Sequence, residues 1–392
     1  MKLTNLVIIL LFAAIFLFPG FCLAQTANEI NIGIWVSVFS KDKVLYSVKE
    51  VDKLLAFCAK NNIKEVYIQL YQSGRAYYDS KLAPSPKFNE MKSEAGLDTV
   101  AYLAKKAKAA GIKVYAWVNI LSLGNNREAD ILKKYGDSIL TRDQYLDYSL
   151  ESGKSDADKY FLKENYIFLE PGDPRVGEYM IKIVSEIAAR YPDLSGFHLD
   201  YIRYPLPLPF SVGARFARYG LAYGYGKVNL ERFIKQAGLD PLSNLNNRFK
   251  QQKWDHWRRQ QVTDLVKGIS QAVKSKNAGF LVSAAVIASN DRAYNSAFQD
   301  WPYWLETGAI DYAVLMNYSD DLQLTKEFSL AALGLRGNKK IYIGIGAFIF
   351  KDNPHGLAEQ YRLVSSLNPD GIVLFSYDDL SDKLMNSLAK VN

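Results

Sequence analysis

Cysteine and histidine are scarce: the 392-residue chain has two cysteines and three histidines. Two cysteines cannot build a disulfide framework, and they offer too few thiolates for a cysteine zinc site. His198, His256 and His355 are far apart in sequence, so no histidine metal cluster is expected, and nothing indicates a cofactor. A dense basic tract is missing too. Lys and Arg number 48 against 41 Asp and Glu, a formal net charge of +7 without the concentrated run that nucleic-acid binding needs. No nucleic-acid partner is expected, whereas an anionic polymer or an envelope surface suits the mild excess. The composition, 49% hydrophobic, 23% charged and 13% aromatic, excludes disorder, collagen and coiled coil as the main state.

The N-terminus reads as a targeting signal. Lys2 supplies the positive start, residues 6–18 form an apolar run of 13, Pro19-Gly20 breaks it, and Cys22-Leu23-Ala24 offers a cleavage site before Gln25. The run is short for a membrane span, so a signal peptide over 1–24 and a secreted or periplasmic mature chain over 25–392 are expected, with no stable span after cleavage. Lipidation at Cys22, or an uncleaved anchor, is the alternative. The mature chain keeps only Cys58, on the apolar face Val51, Leu54, Leu55, Cys58 of a helical pattern, where a packed thiol is expected.

Along residues 25–392 one module recurs: an amphipathic helix, a turn with glycine, then a short apolar strand. Residues 101–110 lead through Gly111 to a strand at 113–119. Asp173-Pro174 places a capping carboxylate before a proline suited to a first helical turn, and Val176, Met180, Ile183, Val184 and Ile187 form the buried stripe that follows. Glycines 196, 279, 308 and 371 precede further strands. Adding 32–39, 63–71 and 341–348 gives eight strand candidates, with 197–202, 281–287, 310–317 and 372–377. Strands alternating with helices pair in parallel, and eight such units close most simply as an α/β protein of the (β/α)₈ TIM-barrel type. An open doubly wound sheet is the runner-up, but its glycine-rich nucleotide turn is missing after the first strand. Connections after strands three and four, about 121–170 and 204–250, are far longer than usual. Both leave the C-terminal ends of strands, where barrel enzymes build their sites.

Alternation puts His198 and Asp200 on one face of the fourth strand, with Asp200 near its C-terminal end. A carboxylate on an apolar strand is costly to bury unpaired. It is either half of a structural ion pair, with Arg203 for example, or a catalytic carboxylate of the kind glycosidases use. Other strand ends carry polar and aromatic groups: Tyr67, Gln69 and Tyr71; Tyr115, Trp117 and Asn119; Asn317, Tyr318 and Asp320; Tyr377 and Asp378. Singly these read as core or capping residues; converging on one rim they suit a sugar cleft. A second carboxyl is expected from Asp320, with Glu170 and Asp378 behind it. Gly224-Tyr-Gly226-Lys227 lacks the spacing of a phosphate loop, and 156–160 lacks the glycine and later ligands of a calcium loop.

Taken together, Gly33-Ile-Trp35-Val, Val66-Tyr-Ile-Gln69, Tyr115-Ala-Trp117-Val-Asn119, Glu170-Pro-Gly-Asp-Pro-Arg175 and above all Gly196-Phe-His-Leu-Asp-Tyr-Ile-Arg-Tyr-Pro205 resemble the bacterial glycosyl-hydrolase-like family ten. Trp257-Arg-Arg259, Ile310-Asp-Tyr312 and Phe375-Ser-Tyr377 extend the resemblance over nearly all of the mature chain. It implies a secreted or periplasmic barrel acting on glycosidic bonds, some relatives resembling hydrolases of peptide-free peptidoglycan strands. Asp200 matches the family's strand-four aspartate, and Gln69, Trp117, Asn119 and His198 match rim positions. Tyr201 stands where many members carry a second aspartate, and Glu170 where asparagine is common. The expected activity is hydrolysis of an envelope or extracellular polysaccharide, with Asp200 and Asp320 catalytic. Gln69, Tyr71, Trp117, Asn119, Glu170, His198, Arg203, Asn317, Tyr318 and Tyr377 are the expected substrate contacts. The competing reading is a catalytically silent, glycan-binding barrel. Oligomeric state is not legible in the sequence.

Overall fold

The structure, a computed structural model, describes residues 30–148, 166–206 and 222–389. The expected signal segment at 1–24 and the calcium-loop-like stretch at 156–160 lie outside the described residues. Eight parallel strands form the centre: β1 (Asn31–Val36), β2 (Glu65–Gln72), β3 (Lys113–Asn119), β4 (Gly196–Asp200), β5 (Leu281–Ile287), β6 (Tyr312–Met316), β7 (Lys340–Gly346) and β8 (Gly371–Phe375). Each pairs with the next, and β1 pairs with both β2 and β8, so the sheet closes into a barrel. The principal helices after the strands are α1 (Val48–Lys60), α2 (Thr99–Ala109), α3 (Pro174–Arg190), α4 (Arg248–Lys276), α5 (Trp301–Glu306), α6 (Leu322–Leu333), α7 (Pro354–Ser366) and α8 (Asp382–Ala389). This is the expected (β/α)₈ architecture.

Local chemistry accounts for the elements. The Asp173 side chain accepts the Arg175 N–H, Pro174 occupies the first turn of α3, and the five stripe residues read from the sequence are all buried. Each large apolar side chain so buried contributes about 1.5–3 kcal/mol. Cys58 is fully buried beside Val51 and Leu54 on α1, and burial pushes its thiol up to about 12. At the base of β4 only glycine fits, since Gly196 has φ +157° and a Cβ there would come within 1.9 Å of the Leu281 carbonyl oxygen.

Strand alternation sorts two cores. Residues such as Ile34, Val66, Val114, Leu199 and Ile343 face the helices in the main cluster. Trp35, Tyr67, Tyr115, Trp117, Tyr312, Val314, Tyr342 and Val373 fill the barrel interior as a separate cluster. Near its lower end Glu65 is buried, accepting from the Tyr67 hydroxyl at 2.7 Å and the Tyr342 hydroxyl at 3.2 Å, with Lys113 at 3.8 Å. Burial raises its pKa against the pull of those donors.

The two long connections carry structure of their own. After β3, a short strand Ser122–Gly124 pairs antiparallel with Ile167–Phe168. After β4, a helix spans Lys227–Ala237. A bridge between Asp143 and Tyr223 joins the two excursions.

Candidate active site

Asp200 is the last residue of β4, at the C-terminal mouth of the barrel, paired in register with Asn119 at the end of β3. It is 9% exposed. One carboxylate oxygen accepts the Trp117 indole N–H at 3.0 Å, and the other accepts the Tyr201 backbone N–H at 2.7 Å. Tyr201 itself takes a left-handed backbone, φ +50°, where the chain leaves the strand. Hydrogen bonds of this kind favour the ionised carboxylate.

Aromatic rings surround this group. Tyr318 stacks on Phe375 with ring centroids 5.5 Å apart, and both meet Trp35 edge-on at 6.5 and 5.7 Å. Trp117 meets Phe375 at 6.2 Å, and Phe348, an exposed aromatic, meets Tyr318 at 5.8 Å. Gly344 makes room for this floor, because a Cβ there would lie 3.0 Å from the Trp35 ring. Burial holds the Tyr318 phenol well above its ordinary pKa, and the charge of Asp200 adds to the shift, so the phenol stays protonated near the carboxylate. Gln69 donates to the Asn119 side-chain oxygen at 3.4 Å and accepts from the Ser37 hydroxyl at 3.2 Å, which ties the ends of β1, β2 and β3 together. Trp117, Asn119, Gln69 and Tyr318 are thus brought to one end of the barrel with Asp200.

Other expected contacts lie elsewhere. His198 is fully buried one layer below, its Nδ1 2.9 Å from the Ser283 hydroxyl and its ring 4.7 Å from that of Tyr67; burial lowers its pKa to about 3, so it is neutral. Tyr71 faces the helical layer rather than the mouth. A bulge between Gln69 and Tyr71 reverses the alternation, and Tyr71 joins the outer core near Tyr179 of α3. Asn317 follows the end of β6 and turns outward, donating to the Thr325 carbonyl at 3.0 Å and the Ser329 hydroxyl at 3.2 Å. Tyr377 lies past the end of β8 and packs on Phe57 of α1, 5.3 Å between rings, with burial first pushing its phenol up to about 12. It lines a separate cavity of about 270 Å³ with Lys41, Asp42 and Asp378.

The alternative second carboxyls are committed to structure. Glu170, 1% exposed, accepts from the Gly172 N–H at 3.1 Å, the Tyr204 hydroxyl at 2.7 Å, the Gly226 N–H at 3.1 Å and the Asn229 amide at 3.2 Å. It therefore clasps the two excursions, and burial raises its pKa despite those donors. Asp378 accepts from the Ser40 hydroxyl at 2.6 Å and the Lys41 N–H at 3.1 Å. Asp320 is exposed on the loop after β6, two residues beyond Tyr318. Arg203, 7% exposed, sets its guanidinium 5.0 Å from the Tyr201 ring centre and donates to the Tyr204 carbonyl. Among the described residues no group of three or more His, Cys, Asp or Glu could hold a metal ion, and no helix is long and apolar enough to cross a membrane.

Site-lining rings absent from the expected contacts are Trp35, Phe348 and Phe375. Parity already marks two of them, since Trp35 follows Gly33 by two on β1 and Phe375 follows Val373 by two on β8. Extending the eighth strand to 377 obscured the second.

Comparison with known proteins agrees with this geometry. Glycosyl hydrolase YngK of Bacillus subtilis (strain 168) is 23% identical over 406 aligned residues, covering 93% of this chain and 71% of its own length. Glycosyl hydrolase DigH of Escherichia coli (strain K12) is 24% identical over 271, covering 64% of this chain and 53% of its own. In fold, the chain is similar to β-galactosidases from Rahnella sp. R3 (TM-score 0.59, 13% identity, 94% of this chain and 56% of that one) and the psychrophilic Marinomonas ef1 (0.57, 10%, 92% and 59%). The chain thus spans little more than half the length of DigH and of either galactosidase. The family model described as "Glycosyl hydrolase-like 10" matches residues 31–336, most of the barrel, and the chain belongs to that family of glycoside-hydrolase type.

Proposed function

We propose that this protein hydrolyses glycosidic bonds in an envelope or extracellular polysaccharide, peptide-free peptidoglycan strands included, with Asp200 as a catalytic carboxylate. The observation that carries the reading is the carboxylate of Asp200 at the barrel mouth, oriented by hydrogen bonds from Trp117 and the Tyr201 amide and ringed by aromatic faces. An oriented carboxylate serves as nucleophile or base; a sugar's apolar face packs on Trp117, Tyr318 and the rings beside them, and Asn119 and Gln69 offer amides to its hydroxyls. Asp320 is the proposed partner acid. An exposed loop carboxyl can reach the required separation from Asp200, roughly 5 Å for retention or 6.5–9.5 Å for inversion, once substrate fills the mouth. The charged, apolar and cleavable segments at 1–24 support action outside the cytoplasm.

The test is release of new reducing ends, confirmed by product mass, from peptide-free peptidoglycan strands and a panel of acidic and neutral polysaccharides. Wild-type protein is expected to release product, and Asp200→Asn to lose at least about 100-fold of that rate while still binding the same glycan. Equal rates would remove Asp200 from the mechanism. Binding without product from either protein would establish the silent, glycan-binding reading instead.

A further inference from the structure

Three neighbouring strand ends, those of β7, β8 and β1, form an arc of the mouth across the barrel from Asp200 on β4. Side-chain bonds tie their loops into one rim. Lys351, after β7, pairs with Asp379, after β8, at 2.9 Å. Asp378 accepts from the Ser40 hydroxyl at 2.6 Å and the Lys41 N–H at 3.1 Å, which holds the turn after β1 to the loop after β8. On its other side the same turn is held by Gln69, whose side-chain oxygen accepts from the Ser37 hydroxyl at 3.2 Å and the Val38 N–H at 3.3 Å. Between these anchors stands Phe39. Its N–H donates to the Ser37 hydroxyl oxygen at 3.1 Å, and it is 68% exposed, the most of any large apolar residue among those described. A turn fixed on both sides thus holds a phenyl group in water at the edge of the mouth.

Beside the turn lies the cavity of about 270 Å³, lined in part by Lys41, Asp42, Phe57, Tyr377 and Asp378. Small-molecule sites start at roughly 300 Å³, so this one admits a single sugar ring rather than a length of polymer. Phe57 and Tyr377 give it two ring walls, and Lys41 and Asp42 put an ammonium and a carboxylate at its exposed edge. Burial keeps the Tyr377 phenol protonated, so it is a hydrogen-bond donor as well. Aromatic contacts lead from Asp200 to this arc. Trp117, which donates to Asp200, lies 6.2 Å from Phe375 at the end of β8, and Phe375 lies 6.1 Å from the exposed Phe348 after β7. A glycan held at Asp200 therefore has an apolar floor as far as the rim.

We propose that Phe39 and the cavity beside it form a distal subsite for the same glycan, so that the protein prefers chains long enough to reach from Asp200 to the turn after β1. The proposal rests on the glycosidase reading and adds the length of chain that the site takes. A sugar offers an apolar face and a fringe of hydroxyls. Phe39 covers the first, and the Tyr377 phenol with Lys41 and Asp42 meets the second. Contacts so far from the reacting bond serve long chains alone, and they lower KM without entering the chemical step.

Fragments sorted by length, from disaccharide to decasaccharide, are prepared from peptide-free peptidoglycan strands, chitin and a uronate polymer. Binding to the full protein is measured by calorimetry, and turnover by reducing ends. Wild type is expected to bind the longest fragments of at least one ladder about 10-fold or more tighter than its disaccharide, as burial of one phenyl face implies. Phe39→Ala should remove most of that gain by weakening only the long fragments, with KM raised and kcat unchanged where they are cleaved. Tyr377→Phe, which keeps the ring on Phe57 and removes the hydroxyl, should weaken them about 3-fold. Thermal melting checks that both variants fold. Equal affinity at all lengths overturns the proposal, as does no binding of any ladder. A Phe39→Ala loss shared by the disaccharide, or unchanged long-chain affinity in either variant, overturns it too. If fragments bind and none is cleaved, the glycosidase reading fails, yet the length preference and its loss in Phe39→Ala still decide the subsite.

Discussion

Tyr201 occupies the left-handed region at φ +50°, a conformation that costs a non-glycine residue about 1 kcal/mol or more. The turn carries the chain out of β4, and the Tyr201 amide donates to Asp200 alongside the Trp117 indole. The two donors differ in how they can be tested, since only the indole is a side chain. Trp117→Phe keeps most of the aromatic surface and removes one hydrogen bond to the charged form of Asp200. With one donor to the carboxylate gone, its charged form is less favoured. The acid limb of the kcat/KM profile is therefore expected to move to higher pH, with kcat down about 10-fold. An unmoved acid limb with lowered kcat would mean that the indole serves only as a sugar platform.

At the scale of elements, the site depends on how two excursions are held over the mouth. Glu170 does this with acceptors only, receiving backbone amides of Gly172 and Gly226 and side chains of Tyr204 and Asn229. Glu170→Gln turns one acceptor into a donor that faces other donors, at a cost of about 1–3 kcal/mol. Because the barrel strands are untouched, the expected result is faster proteolytic nicking around the helix Lys227–Ala237 with an unchanged circular dichroism spectrum. Nicking at the wild-type rate would show that the clasp is dispensable. The elements themselves were legible from periodicity: all eight strands and the capped helix after Asp173 are where glycine turns and apolar stripes put them. Side-chain direction was legible only where a strand stays regular. Asn119 and Asp200 keep their parity to the strand end, whereas one bulge redirects Tyr71, and strands that stop at Met316 and Phe375 release Asn317 and Tyr377 from the alternation. The saturation of Glu170 depends on Tyr204, Gly226 and Asn229, which lie 34 to 59 residues away and share no local pattern with it. A carboxylate's donors come from the tertiary fold, so its role is not written beside it.

For the molecule as a whole, the barrel interior couples folding to pH. His198 is neutral in the folded protein, its pKa lowered by burial to about 3 from an ordinary 6.5. Between those values the unfolded chain binds a proton that the folded chain refuses. Stability contributed by His198 is therefore complete above pH 6.5 and falls as pH drops toward 3, at up to about 1.4 kcal/mol per pH unit. Glu65 and Glu170 act in the other sense. Burial raises their folded pKa values above the unfolded ones, so their contribution is present at low pH and is lost as pH rises through the folded values. The two tendencies oppose each other in acid, which makes the wild-type curve alone uninformative. Denaturant unfolding of wild type and His198→Gln, measured from pH 7 to 3.5, isolates the histidine because the carboxyls are common to both. The free-energy gap between them should change with pH, wild type losing ground to the variant by about one proton's worth per unit below pH 6, whatever the variant's stability at neutral pH. A gap that stays constant across the range would mean that His198 takes up its proton without unfolding the barrel, and that the layer beneath Asp200 is open enough to water to solvate a cation.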